Sequence, residues 1–144
     1  MCIAVKAHYL VSTDKEKLDV KRIHDFISNR SYWAKGRSFT DVEASIRESV
    51  CFGLYENDVQ LGFARVITDK VVLAYLLDFF IFEPYRGRGL SNLLMEEILA
   101  HEELQTVFWL LSTGDAHGLY EKFGFRRIEE ASRLMRRDRQ TNSV

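Results

Sequence analysis

Asp78-Phe79-Phe80-Ile81-Phe82-Glu83-Pro84-Tyr85-Arg86-Gly87-Arg88-Gly89-Leu90-Ser91 joins an apolar run to an amphipathic one. Upstream, Val71 to Phe82 is rich in Val, Leu and aromatic residues on both alternating faces, the pattern of a central strand covered on each side. Downstream, Leu90, Leu93, Leu94 and Ile98 have helical spacing, with Glu97 intruding near that face, and predict a helix from about Leu90 to His101. The turn between them can aim backbone N–H groups and a helix N-terminus at one anion. Gly87 and Gly89 allow unusual dihedrals and close approach of a ligand, while Arg86 and Arg88 add local positive charge. A phosphate cradle and a solvated basic turn capping the helix are both consistent with these residues. A P-loop is not, because no Gly-Lys-Ser/Thr follows, and Asn92 stands where a dinucleotide fingerprint has its third glycine.

Working outward, Val50 to Tyr55 and Gln60 to Thr68 flank the turn-rich Glu56-Asn57-Asp58-Val59 and predict an antiparallel hairpin ahead of the central strand. Ile3 to Val11 reads as a first strand. After Ser12-Thr13-Asp14, the apolar positions Leu18, Ile23, Phe26 and Ile27 predict a helix ending near Asn29. Thr40-Asp41-Val42-Glu43 has the capping-box pattern at the start of a second, short helix. Beyond the deciding stretch, Thr106 to Leu111 reads as another buried strand and Asp115 to Phe123 as a short helix stopped by Gly124. Phe125 to Ile128 and Ala131 to Met135 are expected as closing strands. The order is mixed α/β.

Composition bounds the function classes. The chain has 144 residues, 47% of them hydrophobic, enough for one domain that buries roughly two-thirds of its unfolded surface and too few for a second full-sized one. Residues 1–137 are expected to form that domain and 138–144 a polar C-terminal tail. Twenty Lys plus Arg against twenty-one Asp plus Glu provide no global basic field for nucleic acid or a membrane surface, so any anion site is local. Met1 to Lys6 lacks the pattern of a signal peptide, and the longest apolar run is too short to span a bilayer and contains Asp78. Cys2 and Cys51 make no ligand pair or disulfide framework. A cytoplasmic protein without a metal is the expectation.

Arg86-x-x-Gly89-x-Ser91 after a long strand resembles the cofactor motif of the GNAT superfamily of acetyl-CoA-dependent N-acetyltransferases, Arg/Gln-x-x-Gly-x-Gly/Ala, with Ser91 replacing the last small residue. Ala116-His117-Gly118-Leu119-Tyr120-Glu121-Lys122-Phe123-Gly124-Phe125 resembles the family's later Ala-x-x-x-Tyr-Glu-Lys-x-Gly-Phe signature, at a fitting distance. The resemblance covers roughly residues 50 to 128. It implies a central, mostly antiparallel mixed sheet flanked by helices and splayed between the fourth and fifth strands. Acetyl-CoA is then the cosubstrate, its pantetheine inserted like an extra strand. Residues Arg86, Gly87, Arg88, Gly89, Leu90 and Ser91 would hold the pyrophosphate, and backbone near Phe80, Ile81 and Phe82 the thioester arm. Thr113 stands where many members have Asn, seven residues before the tyrosine, so a contact near the cofactor differs; with Ala116 and Tyr120 it belongs to the implied cofactor set.

The resemblance makes Tyr120 the general acid that protonates the leaving thiolate; without it, a tyrosine packed on a short helix would suffice. Asp78 leaves two roles open. A carboxylate inside an apolar strand must be hydrogen-bonded, hydrated or protonated, and it serves either to accept the proton of an incoming ammonium or to fix a bulge and pair with a neighbouring strand. Glu83 is a wetter alternative base. Tyr32 and Trp33, between the first two helices, are the acceptor-binding candidates, while Lys35 and Arg37 beside them are expected to be solvated. His117 reads as a surface imidazole and Cys51 as a small buried strand residue. The six arginines from Arg126 to Arg139 alternate with acids and read as a charged edge strand. The expected partner is a small-molecule or peptide amine, with homodimer formation left open. A non-catalytic acyl-CoA-binding or sensing domain would keep residues 86–91 without needing Tyr120, and an interaction module would need no cofactor.

Overall fold

The computed structural model describes residues 3–6 and 8–140. Cys2 and the end of the expected polar tail, residues 141–144, lie outside the described residues. Among the described residues, six strands form one sheet in sequence order. They are β1 (Ile3–Lys6), β2 (Tyr9–Ser12), β3 (Val50–Glu56), β4 (Val59–Thr68), β5 (Leu73–Ile81) and β6 (Phe108–Leu111). All neighbours are antiparallel except β5 and β6, which are parallel. Parallel neighbours need a crossover, and α3 (Leu90–Ala100) supplies it. Helices α1 (Val20–Arg30) and α2 (Phe39–Arg47) connect β2 to β3, and the single-turn α4 (His117–Glu121) follows β6.

The local rules show in the details. Asn57 and Asp58 both adopt positive φ, 49° and 66°, the two-residue turn whose twist matches the β3–β4 hairpin. At the β4–β5 turn, the Asp69 carboxylate accepts from the amides of Val71, Val72 and Leu73, which holds its carboxyl below the usual range.

Four expectations need correction. Ile3 to Val11 is not one strand, because the chain reverses between Lys6 and Tyr9 and lays β1 along the edge of β2 that faces away from β3. Ser12-Thr13-Asp14 does not start α1. Asp14 caps a short 3-10 turn, Lys15–Lys17, and Asp19 caps α1 by accepting from the Arg22 amide at 3.2 Å. The cap of α2 is Ser38, accepting from the Asp41 amide at 3.1 Å, two residues before the Thr40 pattern. Among the described residues no strand follows β6. Residues 126–140 are exposed, and the ion pairs seen in them are between side chains, Arg133–Glu130 and Arg136–Asp138 within the segment and Arg139–Asp41 to α2, none of which forms a ladder.

The sheet is covered on both faces, as the apolar run of β5 requires. One face packs Leu54, Leu61, Leu76 and Ile81 beneath Leu94, Met95 and Ile98 of α3, and Tyr120 joins the same core. The other packs Phe63, Phe80 and Phe82 beneath Ile23, Phe26 and Ile27 of α1 and Val42 and Ile46 of α2. Phe26 stacks on Phe80 with ring centroids 4.1 Å apart and meets Phe82 edge-on at 6.0 Å. This stack seats α1, and the segment after it, over the C-terminal half of β5.

Truncating a buried aromatic removes transfer energy and leaves a cavity. Phe26→Ala is expected to lower unfolding stability by about 3–5 kcal/mol in urea titrations.

Candidate active site

The parallel ladder of β5 and β6 is short. It pairs Leu73 to Leu76 with Phe108 to Leu111 and stops, while β5 continues through Leu77 to Ile81. A gap in the sheet therefore opens beside Leu77 to Ile81. Two residues past the last pair, Asp78 has φ 50°, and the β4–β5 register shifts opposite it between Phe63 and Arg65. An L-residue in this region is strained, by roughly 1–2 kcal/mol, so surrounding contacts must hold it there.

The Asp78 side chain is only 1% exposed. Its Oδ1 accepts from Trp33 Nε1 at 2.9 Å, and its Oδ2 from Arg37 Nη1 at 2.8 Å and Arg65 Nε at 2.9 Å. Arg65 also donates from Nη1 to Ser49 Oγ at 3.0 Å, and Ser49 donates to the Ser45 carbonyl at 2.7 Å. One carboxylate thus ties β5 to β4, to the C-terminal turn of α2 and to the segment between α1 and α2. Arg37 is not solvated as expected, because its guanidinium reaches this buried carboxylate. Arg65 and Ser49 escaped the sequence reading altogether. The signal for Arg65 was present in its position between the apolar residues Ala64 and Val66 of a strand.

Trp33 packs its ring 6.3 Å from Phe26 and 5.2 Å from Tyr32, edge-on to the latter. The Tyr32 hydroxyl accepts from the Gly114 amide at 2.9 Å and donates to Asp115 Oδ1 at 3.3 Å. The segment from Tyr32 to Arg37 therefore bridges the gap, touching β5 at one end and the loop after β6 at the other. In that loop Thr113 Oγ1 accepts from the Ala116 amide at 3.0 Å and shapes the approach to α4.

On the opposite face of β5, Phe79 meets the Tyr120 ring edge-on at 5.9 Å, and Phe125 meets it at the same separation. Tyr120 is 8% exposed. Burial pushes its phenol up to about 12, and the neighbouring Tyr32 and Asp115 push the same way, so it is a neutral proton donor at physiological pH. Cys51 is buried, and desolvation pushes its thiol up to about 11, which leaves no thiolate for nucleophilic chemistry. Glu83 pairs with Arg30 at 3.0 Å and stands half in water.

The glycine-rich turn follows β5 by way of a 3-10 turn, Glu83–Tyr85, with Pro84 inside it. Gly87 and Gly89 have φ 86° and 73°, conformations open to glycine and strained for other residues, and no heavy atom stands within 4 Å of where a Cβ would be at either. Gly89 is the N-cap of α3 and supplies no side-chain cap, so the first-turn amides lack a partner from it. Leu90 is buried and Ser91 half-buried. The arginines are partly engaged within the protein. Arg86 Nε donates to the Ile81 carbonyl at 3.1 Å, and Arg88 pairs with Glu56 at 3.4 Å and lies over the Tyr85 ring. Phe80 and Ile81 remain registered with Phe63 and Gly62 of β4, and the Phe82 amide donates to the Leu61 carbonyl at 2.9 Å. β4 thus takes one edge of this segment, and its other edge faces the gap.

A cavity of about 1050 Å³ lies along β6, lined by Trp109, Leu111, Thr113, Tyr120, Phe125 and Ile128 among others. It reaches Thr113 and Tyr120 but none of residues 80–82 or 86–91, and it marks where closing strands were expected. Among the described residues no group of three or more His, Cys, Asp or Glu side chains is placed to share a metal ion, and no helix is long and apolar enough to cross a membrane.

Residues 47–127 match the family model described as an acetyltransferase (GNAT) domain. A protein of Gibberella zeae, FG08082, provisionally named an acetyltransferase, is 30% identical over 148 residues, covering 87% of this chain and 83% of that protein. A crystal structure from Xanthomonas campestris, of a protein provisionally assigned as a GNAT-family acetyltransferase, is 41% identical with a TM-score of 0.89, covering 93% of this chain and 95% of that one. A GNAT-family acetyltransferase of Elizabethkingia anophelis, solved with acetyl-CoA bound, shares the fold at 13% identity with a TM-score of 0.64, over 86% of this chain and 80% of that one.

Removing one partner of a buried ionic cluster leaves the others uncompensated. Asp78→Ala strands two arginines and an indole N–H, and is expected to cost about 3–5 kcal/mol in urea unfolding.

Proposed function

The chain belongs to the GNAT acetyltransferase family, and from that premise we propose that it transfers the acetyl group of acetyl-CoA to a primary amine by direct attack on the thioester. The observation that carries this reading is the gap past Leu76 and Leu111, with an unpaired length of β5 on one side and a protonated phenol, Tyr120, beside it. The residues present fit acetyl-CoA. The open left-handed turn at Gly87 and Gly89 and the uncapped first turn of α3 suit a pyrophosphate, and the free edge of residues 77–81 suits an extended pantetheine arm.

When bound, acetyl-CoA supplies an activated acyl group: the new C–N bond forms at the thioester carbon as the C–S bond breaks. The chain's own part is positioning and charge. Of the stretch from Phe80 to Phe82, the Phe82 N–H is spent on Leu61 of β4, so the backbone N–H at the free edge, at Ile81, polarises the carbonyl. Tyr120 gives its proton to the departing sulfur, a reasonable transfer because thiols ionise near ~8.5 and this phenol holds its proton far above that. Thr113 and Ala116 set the loop that brings Tyr120 to the gap. Asp78, whose oxygens are both occupied by donors, acts as a positioning residue, and the proton of the attacking amine leaves to water. Tyr32 and Trp33 border the side from which the acceptor enters.

Tyr120→Phe keeps the ring and removes the proton. Calorimetry should show unchanged acetyl-CoA affinity, and CoA release with a competent amine should fall by ~10²–10⁴. Because the phenol is pushed up to about 12, its donor form persists through pH 10. The wild-type rate should therefore climb as the amine, of pKa ~10.4, loses its proton, with no falling limb in that range. Undiminished turnover in the variant, with chemistry rate-limiting, would contradict the assignment.

A further inference from the structure

We infer that the amine accepted at this site carries an anionic group, a carboxylate or a phosphate, and that Arg37 binds it. The inference rests on the acetyl-transfer reading above and concerns only its acceptor side. It begins with a charge count. Asp78 contributes one negative charge, and Arg37 and Arg65 contribute two positive ones, both through the same oxygen, Oδ2. The other oxygen is taken by the neutral indole of Trp33. Ser49, which takes a further donor of Arg65, is neutral, and the neighbouring Cys51 thiol keeps its proton. The cluster therefore holds one positive charge in surplus.

That surplus sits on the member that reaches the surface. The side chains of Asp78 and Arg65 are 1% and 8% exposed, whereas that of Arg37 is 24% exposed. A guanidinium has five N–H donors in a planar fork. Arg37 uses Nη1 on Asp78, and among the described residues no other hydrogen bond is seen for its guanidinium, its backbone N–H going to the Ala34 carbonyl at 3.1 Å. Anchored at one end by a buried carboxylate, it offers its remaining donors with little rotamer freedom left to lose, which favours a bidentate oxyanion.

The surroundings are polarised along the acceptor segment. Lys35 and Arg37 lie at one end. At the other, Tyr32 hydrogen-bonds the exposed carboxylate of Asp115, and both are close enough to Tyr120 to push its phenol upward. Glu83, just beyond the end of β5, is already paired with Arg30. An acceptor with its ammonium toward Asp115 and Tyr120 and its anion toward Arg37 matches this field. The exposed parts of Trp33 and Tyr32, 39% and 57% of each residue, border its middle.

The test measures CoA release with matched pairs of amines that differ only in the anion: lysine against cadaverine, phenylalanine against phenethylamine, and phosphoethanolamine against ethanolamine. Acetyl-CoA affinity and melting temperature are followed in parallel. The wild type should prefer the anionic member of a pair in kcat/KM by about 10- to 100-fold, and the pair that responds separates carboxylate from phosphate. In Arg37→Gln that ratio should collapse to about one, and Arg37→Lys should restore part of it. Equal or reversed preference in the wild type would overturn the inference. So would a variant that slows both members of a pair by the same factor, or a wild type that binds acetyl-CoA and acetylates no anionic amine. Failure to bind acetyl-CoA at all would instead overturn the acetyl-transfer reading beneath it.

Discussion

Asp78 is buried in the central strand with its side chain 1% exposed, and the chain satisfies it by converging three donors from outside that strand. Much of the site depends on this. A carboxylate at an inward strand position would ordinarily be excluded by its desolvation cost. Here its left-handed backbone marks a bulge just past the last β5–β6 pair, and its oxygens hold the α1–α2 segment at the resulting gap. The same group that interrupts the sheet fixes the segment beside the opening. Because the cluster is ionic and mostly buried, losing one partner harms more than the pair's presence helps, which makes the arrangement specific rather than strongly stabilising.

Around that point the two faces of the sheet have different work. On the α1–α2 face, the stack of Phe26 on Phe80 supports Trp33, and Trp33 and Arg37 cover Asp78. On the α3–α4 face, Phe79 supports Tyr120 in a setting dry enough to keep its phenol protonated. Consecutive strand residues point to opposite faces, so Asp78 and Phe79 deliver an anchor for the α1–α2 segment and a contact to the proposed acid from one short stretch. The glycine turn follows the same strand, and the gap, the phenol and the turn proposed to bind the pyrophosphate are linked through β5.

Much of this was legible from residues. The doubly apolar run of β5, the Asn57-Asp58 hairpin and the spacing of Leu90, Leu93, Leu94 and Ile98 each encode a local preference that tertiary packing reinforces. The two family-like segments located the turn and Tyr120. Less legible was whatever depends on partners distant in sequence. Arg37 looked like a solvated charge because its counter-ion stands 41 residues away. Arg65 went unread in β4 because the carboxylate it meets lies 13 residues on, in the next strand. Phe125 to Met135 contains strand-forming residues, yet nearly all of it stands exposed, with Arg133 paired to Glu130 three positions away, and a ladder needs more than local composition. The reversal before Tyr9 was hidden because a hairpin and a continuous strand share the same apolar alternation.

The claim that Asp78 couples the α1–α2 segment to the opening of the sheet is tested most directly by backbone deuterium exchange in Asp78→Asn, which keeps the shape and removes the charge. The account predicts faster exchange in residues 31–37 and 77–81 together, while β2 and β3 keep wild-type protection. Unchanged exchange in both segments, or an increase confined to one of them, would contradict it.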